Sequence, residues 1–188
     1  MTTFDSAALR RRLIMLLRQR SIRQGDFVLA SGRRSSFYID ARVTTMSGEG
    51  LALVGMLGLD RLTERGWRPA LVGGLTLGAD PVAYAIAVTA ATRGIVLDAF
   101  TVRKEAKTHG TGRRIEGCFI PGARVAVVED VITTGRSALE AISAVVAAGG
   151  VVTGVLAVVD REEGGRAAIE AAGHEVEVLV TARDLGLA

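Results

Sequence analysis

Two adjacent carboxylates, Glu129 and Asp130, close a run of small apolar residues and precede Val131, Ile132, Thr133, Thr134, Gly135, Arg136 and Ser137. Paired carboxylates accept hydrogen bonds from a vicinal diol. Successive backbone N–H groups of Thr133, Thr134, Gly135 and Arg136, placed at the start of a helix, form an anion nest to which the Thr and Ser hydroxyls add donors. A phosphate nest beside diol acceptors suits a ribose 5-phosphate. The competing reading of the same residues is a buried strand followed by a threonine N-cap.

A second cluster of chemistry lies upstream. The chain carries 23 Lys plus Arg, of which only Lys104 and Lys107 are lysines. Both fall in Arg103-Lys104-Glu105-Ala106-Lys107-Thr108-His109-Gly110-Thr111-Gly112, with one of the two histidines. Lys presents a compact, rotatable ammonium and Arg a planar fork, so the two follow a moving phosphate differently. The glycines mark a loop. A solvated charge run is the alternative, and the confinement of both lysines to this stretch weighs against it.

The elements that must position these groups follow from periodicity. Val125, Val127 and Val128 suit a buried strand, while Leu139, Ile142, Val145 and Val146 are spaced as on a helix, so 129–137 lies where strand becomes helix. Ligands of open α/β sheets bind at such junctions. Leu9, Leu13, Leu16 and Leu17 mark one face of a helix over about 6–20. Residues 26–40 read as strands interrupted by a turn at 31–36 that carries Arg33 and Arg34. A helix over 48–63 bears Gly50, Gly55 and Gly58, which predicts close packing, with a second subunit as one candidate. Ala70 to Asp80 reads as a buried strand, a glycine-rich loop that is a second anion cradle, and the start of a helix over about 81–91. Strands near 95–102, 124–128, 152–160 and 176–180 alternate with helices near 137–148 and 165–172. This alternation specifies an α/β chain with a parallel sheet.

Composition narrows the class. The 188 residues suit one domain with a sizeable core, and 49% hydrophobic with only 4% aromatic residues implies packing by Val, Leu, Ile and Ala. The formal charge of +3 permits nucleic-acid binding, but the cations are dispersed and few aromatics exist for base stacking. An anionic small molecule accounts for the balance equally well. The single Cys118 excludes an intrachain disulfide, fits a reducing cytoplasm and lacks the company of a metal site. The Leu13 to Leu17 run is too short for an export signal, and no segment approaches membrane-spanning length.

In the order Phe27 to Asp40, Gly73 to Asp80, Arg103 to Gly112, Val127 to Ser137 and Val158 to Arg161, these segments resemble the type I phosphoribosyltransferases, and among them the orotate phosphoribosyltransferases. The Glu-Asp-Val-Ile-Thr-Thr-Gly run is the superfamily's signature, and the Arg-Lys-Glu-Ala-Lys-Thr-His-Gly loop is characteristic of the orotate enzymes. The resemblance implies one domain over 1–188, with a central mostly parallel sheet flanked by helices and a small hood over the base site, formed mainly by about 20–45 and C-terminal segments. It implies transfer of phosphoribose from phosphoribosyl pyrophosphate to orotate with Mg²⁺, giving orotidine 5′-monophosphate and pyrophosphate in pyrimidine synthesis.

By the same resemblance 129–137 binds phosphoribosyl pyrophosphate, with Glu129 and Asp130 holding the ribose hydroxyls and Thr133, Thr134, Gly135 and Ser137 the 5′-phosphate, while Val131, Ile132 and Arg136 complete the stretch. Gly74, Leu75 and Thr76 form the pyrophosphate loop, with a cis peptide between Leu75 and Thr76. Arg103, Lys104, Lys107 and His109 close over the leaving group. Thr133, Arg161, Tyr38 and Ile39 meet orotate, Arg161 having a surface ion pair with Glu162 or Glu163 as its alternative role. Mg²⁺ rides on substrate oxygens and waters without a dedicated protein site. A homodimer is expected, with loop 103–112 reaching the neighbouring subunit's site, and neither nucleic acid nor membrane as partner. Many members carry Lys where this chain has Ala30, and one branch carries Tyr-Lys where it has Thr76 and Leu77; Arg33 and Arg34 are the candidate replacements for those charges. The rivals are a purine phosphoribosyltransferase, to which the lysine loop is foreign, and a nucleic-acid-binding regulator that uses the same pocket as a receptor.

Overall fold

The computed structural model describes residues 5–28, 34–105 and 114–187. In chain order the elements are α1 (Ser6–Arg20), β1 (Ile22–Val28), β2 (Arg34–Ile39), α2 (Arg42–Thr45), α3 (Gly48–Glu64), β3 (Leu71–Leu75), α4 (Ala79–Thr92), β4 (Asp98–Val102), β5 (Ile115–Gly117), β6 (Arg124–Ile132), α5 (Arg136–Ala147), β7 (Val151–Asp160), α6 (Gly165–Ala171) and β8 (Val176–Thr181). Six strands form one sheet in the order β5-β4-β3-β6-β7-β8. All neighbours in it run parallel except β5, which lies antiparallel on β4.

The sheet is covered on both faces, which is why its strands are apolar on both sides. Along β6, Ala126 and Val128 belong to one core, with Leu13, Leu17, Leu53, Val82 and Ile86. Val125 and Val127 belong to the other, with Ala141, Ile142, Val145 and Ile169. Alternate residues of one strand thus face opposite layers. Helices α1, α3 and α4 cover the first face; α5 and α6 cover the second.

Gly55 and Gly58 of α3 serve the interior of this chain, not a subunit contact. A Cβ on Gly55 would stand 2.5 Å from the Ala85 carbonyl oxygen, and one on Gly58 would stand 2.7 Å from Ile86 Cδ1. They let α3 and α4 approach closely. The expectation that this face meets a second subunit is therefore corrected: α4 already occupies it.

The hood is a separate two-stranded antiparallel sheet, β1 on β2, followed directly by α2. The Asp40 backbone N–H donates to the Ser21 carbonyl at 2.9 Å, tying the end of β2 to the start of β1. The C-terminal segment docks on α1 instead, where Arg10 Nε donates to the Leu179 carbonyl of β8 at 2.8 Å and Arg18 Nη2 to the Asp184 carbonyl of the following turn at 2.8 Å.

The strand expected to end at Val128 continues to Ile132, because the long β7 offers partners throughout: Glu129 lies opposite Ala157, Val131 opposite Val159 and Ile132 opposite Asp160. Glu129 and Asp130 therefore stand on a strand. The helix after them starts at Arg136, and its N-cap is Gly135 at φ +78°, a left-handed conformation open to glycine, rather than a threonine. No helix among the described residues is long and apolar enough to cross a membrane.

Candidate active site

The strand order places β3 between β4 and β6, and the chain leaves β3 for α4 on one face but β6 for α5 on the other. The two following loops therefore part, and a crevice opens between them at the carboxyl edge of the sheet. A cleft of about 620 Å³ lies there, within the usual range for small-molecule sites. The β3 loop, the β6 loop, the end of the hood and Arg161 line it.

Both loops run into helix N-termini. Among the described residues no protein acceptor takes the backbone N–H groups of Thr134, Gly135, Arg136 or Ser137, and none takes those of Leu77 or Gly78. Each helix start thus presents unpaired donors and the positive end of its dipole to the cleft. The nest at 133–137 is held from behind by α6. A Cβ on Gly165 would stand 2.6 Å from the Thr133 carbonyl oxygen and 2.7 Å from the Gly135 nitrogen. Sequence reading gave Gly165 no such part; one glycine pair distant in the chain carries no signal of contact.

Between the two helix starts sit the carboxylates. Glu129 is only 6% exposed, and its Oε2 has no hydrogen-bond partner among the described residues. Burial, reinforced by the neighbouring Asp130 carboxylate, pushes the Glu129 carboxyl well above its ordinary pKa. Burial also raises Asp130, against hydrogen bonds and the charge of Arg42 that act to lower it. Asp130 Oδ1 accepts the Val131 N–H at 2.9 Å. A buried acceptor left without a donor is costly, and a sugar hydroxyl is the type of group that relieves it.

On the other side, Thr76 N–H still donates to the Val102 carbonyl at 2.8 Å, which extends the β3 ladder through the Leu75–Thr76 peptide. The cis bond lies one residue later, between Thr76 and Leu77, and corrects the expected position. Leu75 and Thr76 line the cleft with Leu77 and Gly78, whereas Gly74 stays inside β3, where a Cβ would stand 2.1 Å from the Val128 carbonyl oxygen. Asp80 braces this loop: Thr76 Oγ1 donates to its Oδ2 at 2.6 Å and Thr101 Oγ1 to its Oδ1 at 2.8 Å.

Arg161 projects from the end of β7 and is 5% exposed. Its Nε donates to Glu163 Oε1 at 2.7 Å, its Nη2 to Ser35 Oγ at 3.2 Å, and its guanidinium carbon lies 4.7 Å from the centre of the Phe37 ring. The ion pair weighed as the alternative to a ligand role does form, but buried beneath the hood and at the cleft wall. Tyr38, Ile39 and Thr133 line the same cleft.

Lys104 also lines the cleft, and Arg103 does not. The root of their loop is fixed by Arg114, whose guanidinium donates to the Arg103 and Lys104 carbonyls and to Glu140 on α5. Lys107, His109, Ala30 and Arg33 lie outside the described residues; Arg34 is exposed at the start of β2. Asp40, Leu77 and Gly78, which fall inside the segments 27–40 and 73–80 without a contact assigned to them, line the cleft as well, as do Arg42 and Ala138, which no periodicity or motif singled out.

No family model matches the chain. Individual relatives do. Over 175 residues it is 49% identical to the orotate phosphoribosyltransferase of Mycobacterium avium, a match covering 93% of this chain and 95% of the relative. The chain belongs to the orotate phosphoribosyltransferase family. The crystal structure of the Mycobacterium tuberculosis H37Rv member in complex with Fe(III) dicitrate superposes with a TM-score of 0.85 at 46% identity, covering 95% of this chain and 99% of that one. A structure of the same organism's enzyme in complex with phosphoribosyl pyrophosphate gives a TM-score of 0.78 at 41% identity, covering 95% of this chain and 92% of that one. The type I phosphoribosyltransferase fold and the orotate branch follow from these matches, and the purine-transferring alternative is set aside.

Proposed function

We propose that the protein transfers the 5-phosphoribosyl group from phosphoribosyl pyrophosphate to orotate, giving orotidine 5′-monophosphate and pyrophosphate for pyrimidine biosynthesis. The observation that carries this reading is the pair of helix starts whose N–H groups have no protein acceptor among the described residues, on either side of a buried Glu129 whose Oε2 has no partner among them. Two anionic groups with a diol between them match that arrangement end to end.

In this reading the 133–137 nest binds the 5′-phosphate, and Glu129 and Asp130 accept the ribose hydroxyls. Arg161, with Thr133, Tyr38 and Ile39, holds orotate so that its N1 faces the anomeric carbon. The C–N bond forms as the C–O bond to pyrophosphate breaks, and the proton of orotate N1 passes to solvent or to the departing pyrophosphate. Positive charge grows on the ribose, where the carboxylates stabilise it, and negative charge grows on the leaving group. Unpaired N–H groups of Leu77 and Gly78, together with Lys104 and, from the sequence, Arg103, Lys107 and His109, meet that negative charge as it develops. Closure of a loop over the site keeps water from the activated sugar.

Mg²⁺ fits this site as a companion of the substrate. Among the described residues no group of three or more potential ligands converges, and Mg²⁺ ordinarily keeps waters and takes one or two carboxylates plus substrate phosphates. Asp130 is the carboxylate at the pyrophosphate side that would hold it. When bound, the ion neutralises charge on the leaving group.

The assembly is a homodimer with loop 103–112 donated across the interface, in a cytoplasmic setting. Support for an interface comes from the outer face of α4 and the residues after it, where Tyr84, Val88, Ile95 and Val96 are exposed apolar side chains. The single, exposed Cys118 supports a reducing compartment. Mixing the protein with orotate, phosphoribosyl pyrophosphate and Mg²⁺ and following the loss of orotate absorbance tests the activity; no loss over hours at micromolar protein would exclude it.

A further inference from the structure

One cation in the cleft has no role in the scheme above. Arg42, on the short helix after the hood, lines the cleft with Asp40, Leu77, Gly78 and Asp130. Its Nε donates to Asp40 Oδ1 at 2.8 Å and its Nη2 to Asp40 Oδ2 at 3.0 Å. Asp40 Oδ1 also accepts the Arg42 backbone N–H at 3.2 Å. The carboxylate therefore fixes the plane of the guanidinium while engaging only two of its five N–H groups. The remaining donors, both on Nη1 and one on Nη2, take no protein acceptor among the described residues. The Arg42 side chain is 42% exposed, so this is an accessible, pre-aimed fork and not a charge sealed in the core.

Its place along the cleft can be read from its neighbours. The 5′-phosphate nest is at the start of α5, and the carboxylates lie beside it. Gly78 touches Asp130 from the opposite side, where a Cβ would meet Asp130 Oδ1 at 2.3 Å, so the β3 loop and the start of α4 form the far end. Arg42 belongs to that end, because α2 packs against α4 and the charge of Arg42 acts on Asp130. Leu77 offers no charge there. Among the other described cations lining the cleft, the Arg161 guanidinium is held by Glu163 and Ser35, Arg136 starts α5 at the nest end, and Lys104 belongs to the loop assigned above to the leaving group.

We infer that Arg42 binds the diphosphate of the phosphoribosyl donor and that Asp40 is its positioning residue. The inference rests on the reading of the cleft as a donor site. A diphosphate on the anomeric carbon, with the 5′-phosphate in the nest, extends towards the end where Arg42 stands. Planar, paired recognition of phosphate oxygens is what an oriented guanidinium does and a lysine does not.

The test uses two separate probes, Mg-pyrophosphate and ribose 5-phosphate, titrated by calorimetry into the wild-type protein and into Arg42→Ala, Arg42→Lys and Asp40→Asn, with thermal unfolding to verify folding. Loss of charge-assisted hydrogen bonds of this kind weakens binding about tenfold to hundredfold. Arg42→Ala should lose that much affinity for pyrophosphate and keep its affinity for ribose 5-phosphate within about twofold. Arg42→Lys should lose less, since it keeps the charge without the fork. Asp40→Asn should raise KM for phosphoribosyl pyrophosphate more than it lowers kcat, because the cation remains but is no longer aimed. Should Arg42→Ala fail to fold, the other two variants carry the comparison. Unchanged pyrophosphate affinity in the folded Arg42 variants, or an equal loss for both probes, would overturn the inference. Wild-type protein that binds neither probe would overturn the donor-site reading itself, an outcome distinct from either of those.

Discussion

Gly78 lies directly against Asp130: a Cβ at position 78 would stand 2.3 Å from Asp130 Oδ1 and 2.6 Å from its Cγ. Backbone strain is not the reason for glycine here, since Gly78 has φ −67°, which any residue adopts. The reason is room. Gly78→Ala should push the Asp130 carboxylate from its bond with the Val131 N–H and raise KM for phosphoribosyl pyrophosphate about tenfold or more, while thermal stability changes little. Steady-state kinetics with both substrates varied, beside a melting curve, checks this; wild-type KM values would show that Asp130 has space to yield.

The buried carboxylate pair also makes donor binding a proton-linked event. Burial raises Glu129 well above its ordinary pKa and raises Asp130 as well. In the free protein the folded state thus binds more protons than the unfolded chain between the ordinary and the raised pKa values, so the pair's contribution to stability falls as pH rises through that window. Ionised carboxylates are the stronger acceptors for two sugar hydroxyls, so the bound donor favours the ionised pair. Donor binding should therefore release protons in the same window, and affinity should rise with pH by up to about tenfold per unit for each proton released. Titrations in buffers of different ionisation enthalpy measure the release directly. Glu129→Gln should abolish most of it, and equal heats in all buffers for the wild type would contradict the linkage.

How much of this was legible in the chain depends on how local each signal is. The helix over 6–20 and the strand pairs at 152–160 and 176–180 show in apolar periodicity, because each buries a face whose spacing the backbone fixes. Glu129 to Ser137 could be read as a diol site and nest because its groups are adjacent in sequence. β5 was missed: three residues on an antiparallel edge leave no periodicity. Arg42, and the contact of Gly78 with Asp130, were missed for another reason. Their part in the cleft comes from contacts with Asp40 and Asp130, and the latter is far away in the chain. The strand through Ile132 was cut short because carboxylates look like a strand's end until the register against β7 is known.

Arg161 tests the base side of the cleft. Its fork is shared between Glu163 and Ser35 and lies over the Phe37 ring, so its remaining donors are aimed by three neighbours at once. Arg161→Lys keeps the charge and loses the planar fork. KM for orotate should rise about tenfold to hundredfold, with affinity for ribose 5-phosphate close to wild type. A KM increase confined to phosphoribosyl pyrophosphate would move Arg161 away from the base.

Donation of loop 103–112 across a dimer has a quantitative consequence. A Lys107→Ala subunit keeps a sound pocket but donates a defective loop, whereas a Glu129→Ala subunit has a damaged pocket but donates a sound loop. Their mixed dimer holds one complete site, formed by the first subunit's pocket and the second subunit's loop, and one site defective in both respects. If dissociated chains recombine at random in a two-fold dimer, about half of the dimers are mixed, so roughly a quarter of all sites should regain activity. Neither parent alone regains it. If each loop serves its own pocket, every site in the mixture carries one defect or the other and none is restored. Activity measured after dissociation and reassociation, with the mixed species counted by native mass spectrometry, separates the two cases: a restored fraction near a quarter establishes donation, and activity no higher than the mean of the two parents assigns the loop to its own subunit.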